Sequence, residues 1–191
     1  MTTQEILSNI GQFSEIDIAL FQKYTTRKTI EKNHFLLNEG EICQSAFYVL
    51  SGSFFQFQTD DMGEKIIDLH LEKEWMFNHQ SLIEQSPSKT AIKAFAKSEV
   101  IELRLSNLHS LIAKSQAFLQ LGRIFNQAKN RIYLFDNSLS PTGKYNYINQ
   151  AKPYITKVFP IKMIASYLKI APETLSRVRA NTIKFPDLNQ V

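Results

Sequence analysis

Apolar positions near the start of the chain fall three and four residues apart. Ile6, Ile10, Phe13, Ile16, Leu20 and Phe21 predict short helices between Gln4 and about Lys28. Beyond that point the period shortens. FLLNEGE (35–41), AFYVLSGSFFQFQ (46–58), EKIIDLHLE (64–72), TAIKAFA (90–96) and EVIELRLS (99–106) are short runs of β-branched and aromatic residues, separated by the turn signals NEGE, LSGS, DDMGE and SPS. Strands this closely spaced, with no helical stretch between them, predict an antiparallel β-sandwich or roll rather than a parallel α/β sheet.

After Ser106 the pattern turns helical to about Asp136. Leu111, Phe118, Phe125 and Ile132 recur every seven residues, and Lys114, Leu121, Ala128 and Phe135 form a companion series three residues later. This is an a/d seam with one polar misfit, Lys114. A helix of that length would reach ~45 Å, more than one small domain needs. Four sustained heptads favour a dimer seam over a stripe packed on its own β-roll. NSLSPTG (137–143) reads as a hinge, and KYNYINQAKPYITKVF as a helix bent or broken around Pro153. The expected organisation is an α+β chain: N-terminal helices and a β-roll over 1–106, a dimerisation helix over 107–136 and a second module over 137–191.

Charge sharpens the division. Residues 1–140 carry 14 Lys and Arg against 16 Asp and Glu, whereas residues 141–191 carry 8 against 2. A basic module joined to a slightly acidic one suits a polyanionic partner, although a solvated basic face would give the same count. The lone cysteine, Cys43, excludes an intrachain disulfide and cannot by itself supply an iron–sulfur or structural zinc site. His34, His70 and His109 show no metal-ligand spacing. No nucleophile–base constellation, Walker loop or G-x-G-x-x-G fingerprint occurs, so no enzyme, cofactor or metal is expected. No apolar run reaches the ~20 residues of a membrane span, and MTTQEILSNIGQ lacks the features of a signal peptide, which predicts a cytoplasmic location.

The stretch IASYLKIAPETLSRVR (164–179) carries the most specific chemistry. Ile164, Ala165 and Leu168 share one helical face, and Ile170, Leu175 and Val178 supply apolar positions after a break. Two helices crossing steeply need a small residue where their backbones approach, which Ala165 provides. Pro172 suits the first turn of a second helix, and Glu173 complements its positive end. Glu173, Thr174, Ser176, Arg177 and Arg179 avoid the apolar positions and can reach outward. Arginine can fork onto guanine, glutamate can accept from cytosine and hydroxyls can grip phosphates, so the pattern favours DNA recognition over a generic helical hairpin.

FPIKMIASYLKIAPETLSRVR resembles the C-terminal helix-turn-helix of the Crp/Fnr superfamily of bacterial transcription regulators, above all in I-A-x-x-L-x-I-x-P-E-T-L-S-R. FLLNEGEICQSAFYVLSGSF is similar to the opening of that superfamily's cyclic-nucleotide-binding-type β-roll, a double-stranded jelly roll, with Gly40 and Gly52 at expected turns. The order of β-roll, long dimer helix and DNA-binding head matches as well. The resemblance implies that Glu173, Ser176 and Arg177 contact base edges and that Thr174 and Arg179 meet the phosphate backbone. Two residues depart from it: Lys169 stands where the turn usually has glycine, and Ala171 where a Thr or Ser would cap the second helix. Only 12 residues follow Arg179, so the β-hairpin wing is expected to be shortened or absent.

Relatives that bind cyclic nucleotides carry Gly-Glu and, about ten residues later, Arg-Ser/Thr. Here Asn78 and His79 occupy the first pair, and Lys89 and Thr90 the second. Lys89 lacks the bidentate fork of arginine, and His79 cannot act as an anionic ribose acceptor. These departures favour an empty or structural pocket over an unidentified small ligand, with cyclic AMP less favoured still and haem through His79 weaker again. The expected function is a homodimeric, sequence-specific DNA-binding transcription regulator acting on a palindromic site without dependence on cyclic AMP. Its expected partners are double-stranded DNA and a second copy of the chain, with RNA polymerase and an unidentified small-molecule effector as further candidates and no membrane. The alternative is a small-molecule sensor whose helix-turn-helix mediates protein contacts.

Overall fold

The computed structural model describes residues 1–61, 63–125 and 139–184. Two short helices open the chain, α1 (Thr3–Ser8) and α2 (Glu15–Tyr24). Each begins with a reciprocal capping box, Thr2 with Glu5 and Ser14 with Asp17, which satisfies orphan donors of the first turn. Among the described residues eight strands follow: β1 (Thr26–Ile30), β2 (Phe35–Leu37), β3 (Ser45–Ser51), β4 (Phe54–Asp60), β5 (Gly63–His70), β6 (Trp75–Met76), β7 (Ala91–Ala94) and β8 (Ser98–Arg104). They pair antiparallel in two four-stranded sheets, ordered β1-β8-β3-β6 and β2-β7-β4-β5.

Strand β1 corrects the expectation of helix to about Lys28. TRKTI is rich in β-branched residues, and it pairs with β8 from Thr26–Glu102 to Ile30–Ser98. A short helix, α3 (His79–Glu84), also interrupts the strands, capped by the Asn78 side chain, which accepts from Ser81 N–H. The turn between β3 and β4 requires glycine on two counts. Gly52 has φ +89, and a Cβ there would lie 2.8 Å from the Lys97 carbonyl oxygen.

The expected single helix over 107–136 is interrupted. Helix α4 (Leu105–Lys114) ends at Ser115, whose backbone is extended, and a 3-10 segment follows at Gln116–Leu121. Leu111, Phe118 and Leu121 are fully buried in the core of their own β-roll, and Phe125 packs against the same cluster. The described half of the expected dimer seam is therefore occupied within the chain. Spacing specifies a stripe but not the surface that covers it, and the roll lies within reach. Ala128, Ile132 and Phe135, and the expected site of a wing, lie outside the described residues.

A helical module completes the fold: α5 (Pro141–Ala151), α6 (Ile155–Val158), α7 (Ile161–Leu168) and α8 (Pro172–Lys184). The break between α5 and α6 falls around Pro153, where the missing N–H and the ring disfavour a continuing helix. This module packs on the outer face of the β2-β7-β4-β5 sheet. Along β4, Phe54 joins the core of the roll, while Phe55 and Phe57 join a second cluster with Ile66, Leu69, Ile148, Ile155, Phe159, Ile164 and Leu168. Strand β5 is the edge of its sheet, and the module covers part of that edge: Ile66 N–H donates to Ser166 Oγ at 3.0 Å.

One cation crosses the same junction. Lys152, at the end of α5, has a side chain 1% exposed; its Nζ donates to the Leu69 carbonyl and lies 2.8 Å from Glu74 and 3.5 Å from Asp68. The His70 ring is buried in the same place, 3.8 Å from Glu74 and 4.0 Å from Asp68. Burying an ammonium is tolerable only with such partners. Lys152→Met keeps the stem but leaves both carboxylates without their cation. In urea unfolding at neutral pH it is expected to cost about 1–3 kcal/mol; an unchanged midpoint would show that apolar packing alone holds the junction.

Candidate functional site

Helices α7 and α8 meet across a three-residue turn. Ile164, Ala165 and Leu168 of α7 and Leu175 and Val178 of α8 are buried together, and Ala165 has no exposed surface. A larger residue at Ala165 would hold the helices apart. Pro172 opens α8, with Leu175 N–H donating to the Ala171 carbonyl at 3.0 Å. On α8, Glu173, Ser176 and Arg177 are exposed, and Thr174 and Arg179 are half-buried beside them. The five residues singled out in the sequence thus sit on a helix whose other side is anchored by Leu175 and Val178.

The turn has the geometry that glycine usually provides. Lys169 is left-handed, with φ 55 and ψ 48. Its N–H donates to the Ser166 carbonyl at 3.0 Å, and Ile170 N–H reaches back to the Ala165 carbonyl at 3.1 Å. This is a Schellman ending, with Ile170 tucked onto the apolar cluster. A non-glycine residue therefore holds the left-handed position in this turn.

Sequence reasoning missed Lys144. It is buried on α5, and its Nζ donates to the Leu168 carbonyl at 2.9 Å, satisfying the C-terminal end of α7. The intervening sequence gives no periodic signal for this pairing. Lys144 and Lys152 were both counted in the basic excess of the C-terminal segment. Both are spent inside the protein, so the charge available to an external polyanion is smaller than the count implied.

The residues aligned with the phosphate cassette separate in space. Asn78 is buried, and its Nδ2 donates to Ser88 Oγ at 2.8 Å and to Thr90 Oγ1 at 2.7 Å. Gln56 Nε2 donates to Thr90 Oγ1 at 2.6 Å, and Ser88 Oγ donates to the Thr90 carbonyl at 2.6 Å. Lys89 is exposed and His79 only half-buried, its ring 6.3 Å from Phe77. Two of the four candidate residues, Asn78 and Thr90, therefore meet, and their polar groups bond one another and their neighbours. Cys43 is buried, and desolvation raises its thiol pKa above the ordinary value despite contacts with backbone groups of Asn78 and Ser45. Among the described residues, no group of three or more His, Cys, Asp and Glu side chains could hold a metal ion, and no helix is long and apolar enough to cross a membrane.

Replacing Lys169 by glycine removes the left-handed penalty while raising the entropy of the unfolded chain. The balance predicts a gain of about 0.5–1 kcal/mol in chemical denaturation. A loss of stability would mean that the Lys169 side chain contributes more than its backbone costs.

Comparison with known proteins agrees with this architecture. The family described as "Cyclic nucleotide-binding domain" matches residues 27–115. No curated relative matches the chain in sequence. Among solved structures, FixK2 from Bradyrhizobium japonicum superposes with a TM-score of 0.65 at 15% identity, covering 87% of this chain and 89% of its own. A CooA mutant from Carboxydothermus hydrogenoformans gives 0.65 at 16% identity over 100% and 88%. The Catabolite Activator Protein of Thermus thermophilus gives 0.56 at 18% identity over 94% and 88%. Residues 27–115 thus match the cyclic nucleotide-binding domain family, within a chain whose fold is similar to those of FixK2, CooA and the Catabolite Activator Protein.

Proposed function

We propose that the protein is a homodimeric, sequence-specific DNA-binding transcription regulator, with α7 and α8 as its helix-turn-helix. The observation that carries this reading is the division of α8 into a buried side, Leu175 and Val178, and an exposed side bearing Glu173, Ser176 and Arg177. Arg177 would fork onto a guanine, Glu173 and Ser176 would read neighbouring base edges, and Thr174 and Arg179 would grip the phosphates. Two copies would present their α8 helices to successive major grooves, about 34 Å apart, on a palindromic site. Because Leu111, Phe118 and Leu121 are already covered by the roll and Phe125 packs against it, the seam residues left for pairing are Ala128, Ile132 and Phe135.

The interior of the roll supports independence from cyclic AMP. Asn78 and Thr90 satisfy one another, and Lys89 faces solvent, so the side chains that would neutralise a cyclic phosphate are absent or turned away. The protein would act by occupying DNA and not as an enzyme.

Two measurements test this. Fluorescence anisotropy on a random duplex should give binding that weakens steeply as salt rises, since phosphate neutralisation releases counterions; no affinity at low salt would overturn the DNA reading in favour of protein contact. On a duplex selected from a random pool, Arg177→Ala should lose about 1–3 kcal/mol and relax preference at one base position in each half-site. An equal loss on every sequence would remove Arg177 from base reading.

A further inference from the structure

A cleft of about 360 Å³ lies between the outer face of the β2-β7-β4-β5 sheet and α7. Its volume falls in the range of small-ligand sites, ~300–1,000 Å³. One wall is Lys162, Met163 and Ser166 of α7. The other is Phe55, Ile66, Lys93 and Phe95, with Lys32 and Asn33 of the β1–β2 loop and Glu64 at the rim. We propose that this cleft binds a small organic dianion with an aromatic body, held between the β-roll and the first helix of the reading head.

Charge is the first argument. Lys32, Lys93 and Lys162 line the cleft against the single carboxylate of Glu64, an excess of two positive charges. Among the described residues, none of these three lysines is paired with a carboxylate; Lys93 lies over the Phe35 ring, 5.0 Å from its centroid. Two lysines of the roll do close on acids, Lys28 on Glu102 and Lys97 on Glu31. Three like charges around one opening repel one another unless an anion joins them.

The floor supplies the second argument. Phe55 is buried and meets Phe95 edge-on, with centroids 6.4 Å apart and planes at 82°. With the Met163 thioether opposite, these rings offer a flat apolar body both stacking and edge contacts. Ser166 Oγ already accepts from Ile66 N–H, so its own proton can donate to an anionic oxygen. The interior of the roll offers no equivalent: Asn78, Ser88, Thr90 and Gln56 are bonded together there, with no cation among them.

A ligand seated here would touch both β5 and α7, and would favour the docked arrangement of the two modules through its added contacts. That consequence rests on the regulator reading, whereas the binding itself does not. The test is therefore made without DNA, by heteronuclear NMR of the full chain titrated with 1-naphthyl phosphate. Saturable shifts are expected at the Met163 methyl and the Ile66, Lys93 and Ser166 amides. Lys162→Glu and Lys32→Glu, both at exposed positions, should each weaken binding by about fivefold or more while leaving amides of the roll interior unmoved. Inorganic phosphate and 1-naphthol, each with half of the chemistry, should bind more weakly than the aryl phosphate. The proposal is overturned by shifts centred on Asn78 and Thr90, by affinity indifferent to both lysine variants, or by no saturation at millimolar probe.

Discussion

The outer face of one β-sheet cannot be left in water, and most of the architecture follows from how it is covered. Strand β4 runs Phe54, Phe55, Gln56, Phe57, so alternation sends aromatic rings to both sides of the sheet. The inner side closes the roll; the outer side, joined by Ile66 and Leu69 of β5, needs a second layer. Helices α5 to α7 provide it. Burying these side chains supplies the non-directional part of the attachment, and Lys152 supplies the directional part, since its ammonium finds its oxygens only at Leu69, Asp68 and Glu74. The position of α7 follows from that docking, and α8 follows α7 through their shared apolar contacts.

The two polar interiors of the molecule contrast in kind. Inside the roll, neutral side chains close a network among themselves, a stable solution because every buried donor finds an acceptor without a charge being taken out of water. Buried cations are accepted at the junction, where carboxylates and a strand carbonyl face Lys152, and within the helical module, where a helix-end carbonyl faces Lys144. Lys144 does for the end of α7 what Lys152 does for the edge of the roll. The β-roll, which matches the cyclic nucleotide-binding domain family, has an interior paired with itself, while its junction with the helices is crossed by the buried Lys152.

Local sequence was most informative where backbone chemistry is local. Gly52 was placed at a turn from its flanking residues, and its φ of +89 is the conformation glycine tolerates. The bend at Pro153 and the start of α8 at Pro172 were readable from one or two residues, because proline geometry depends on immediate neighbours, whereas the left-handed Lys169 was placed in its turn by the family resemblance alone. The exposed side of α8 was readable as well, since helical periodicity separates Leu175 and Val178 from Glu173, Ser176 and Arg177. Strand β1 was lost because TRKTI continues the apolar spacing of α2 for too few residues to reveal a change of period.

What the sequence by itself determined is therefore the run of strands from residue 35 onward, the turns and proline-marked breaks, and which residues of α8 face outward, because each depends on spacing within a few residues. What only the tertiary structure decided is what each apolar or charged face meets. Leu111, Phe118 and Leu121 had the spacing of a seam between chains and are buried in their own roll. Lys144 and Lys152 counted as charges for a partner and became internal links between segments far apart in the chain. Periodicity and charge are properties of one strand or helix, whereas burial and pairing are properties of two surfaces, and the second surface is specified only when the chain has folded.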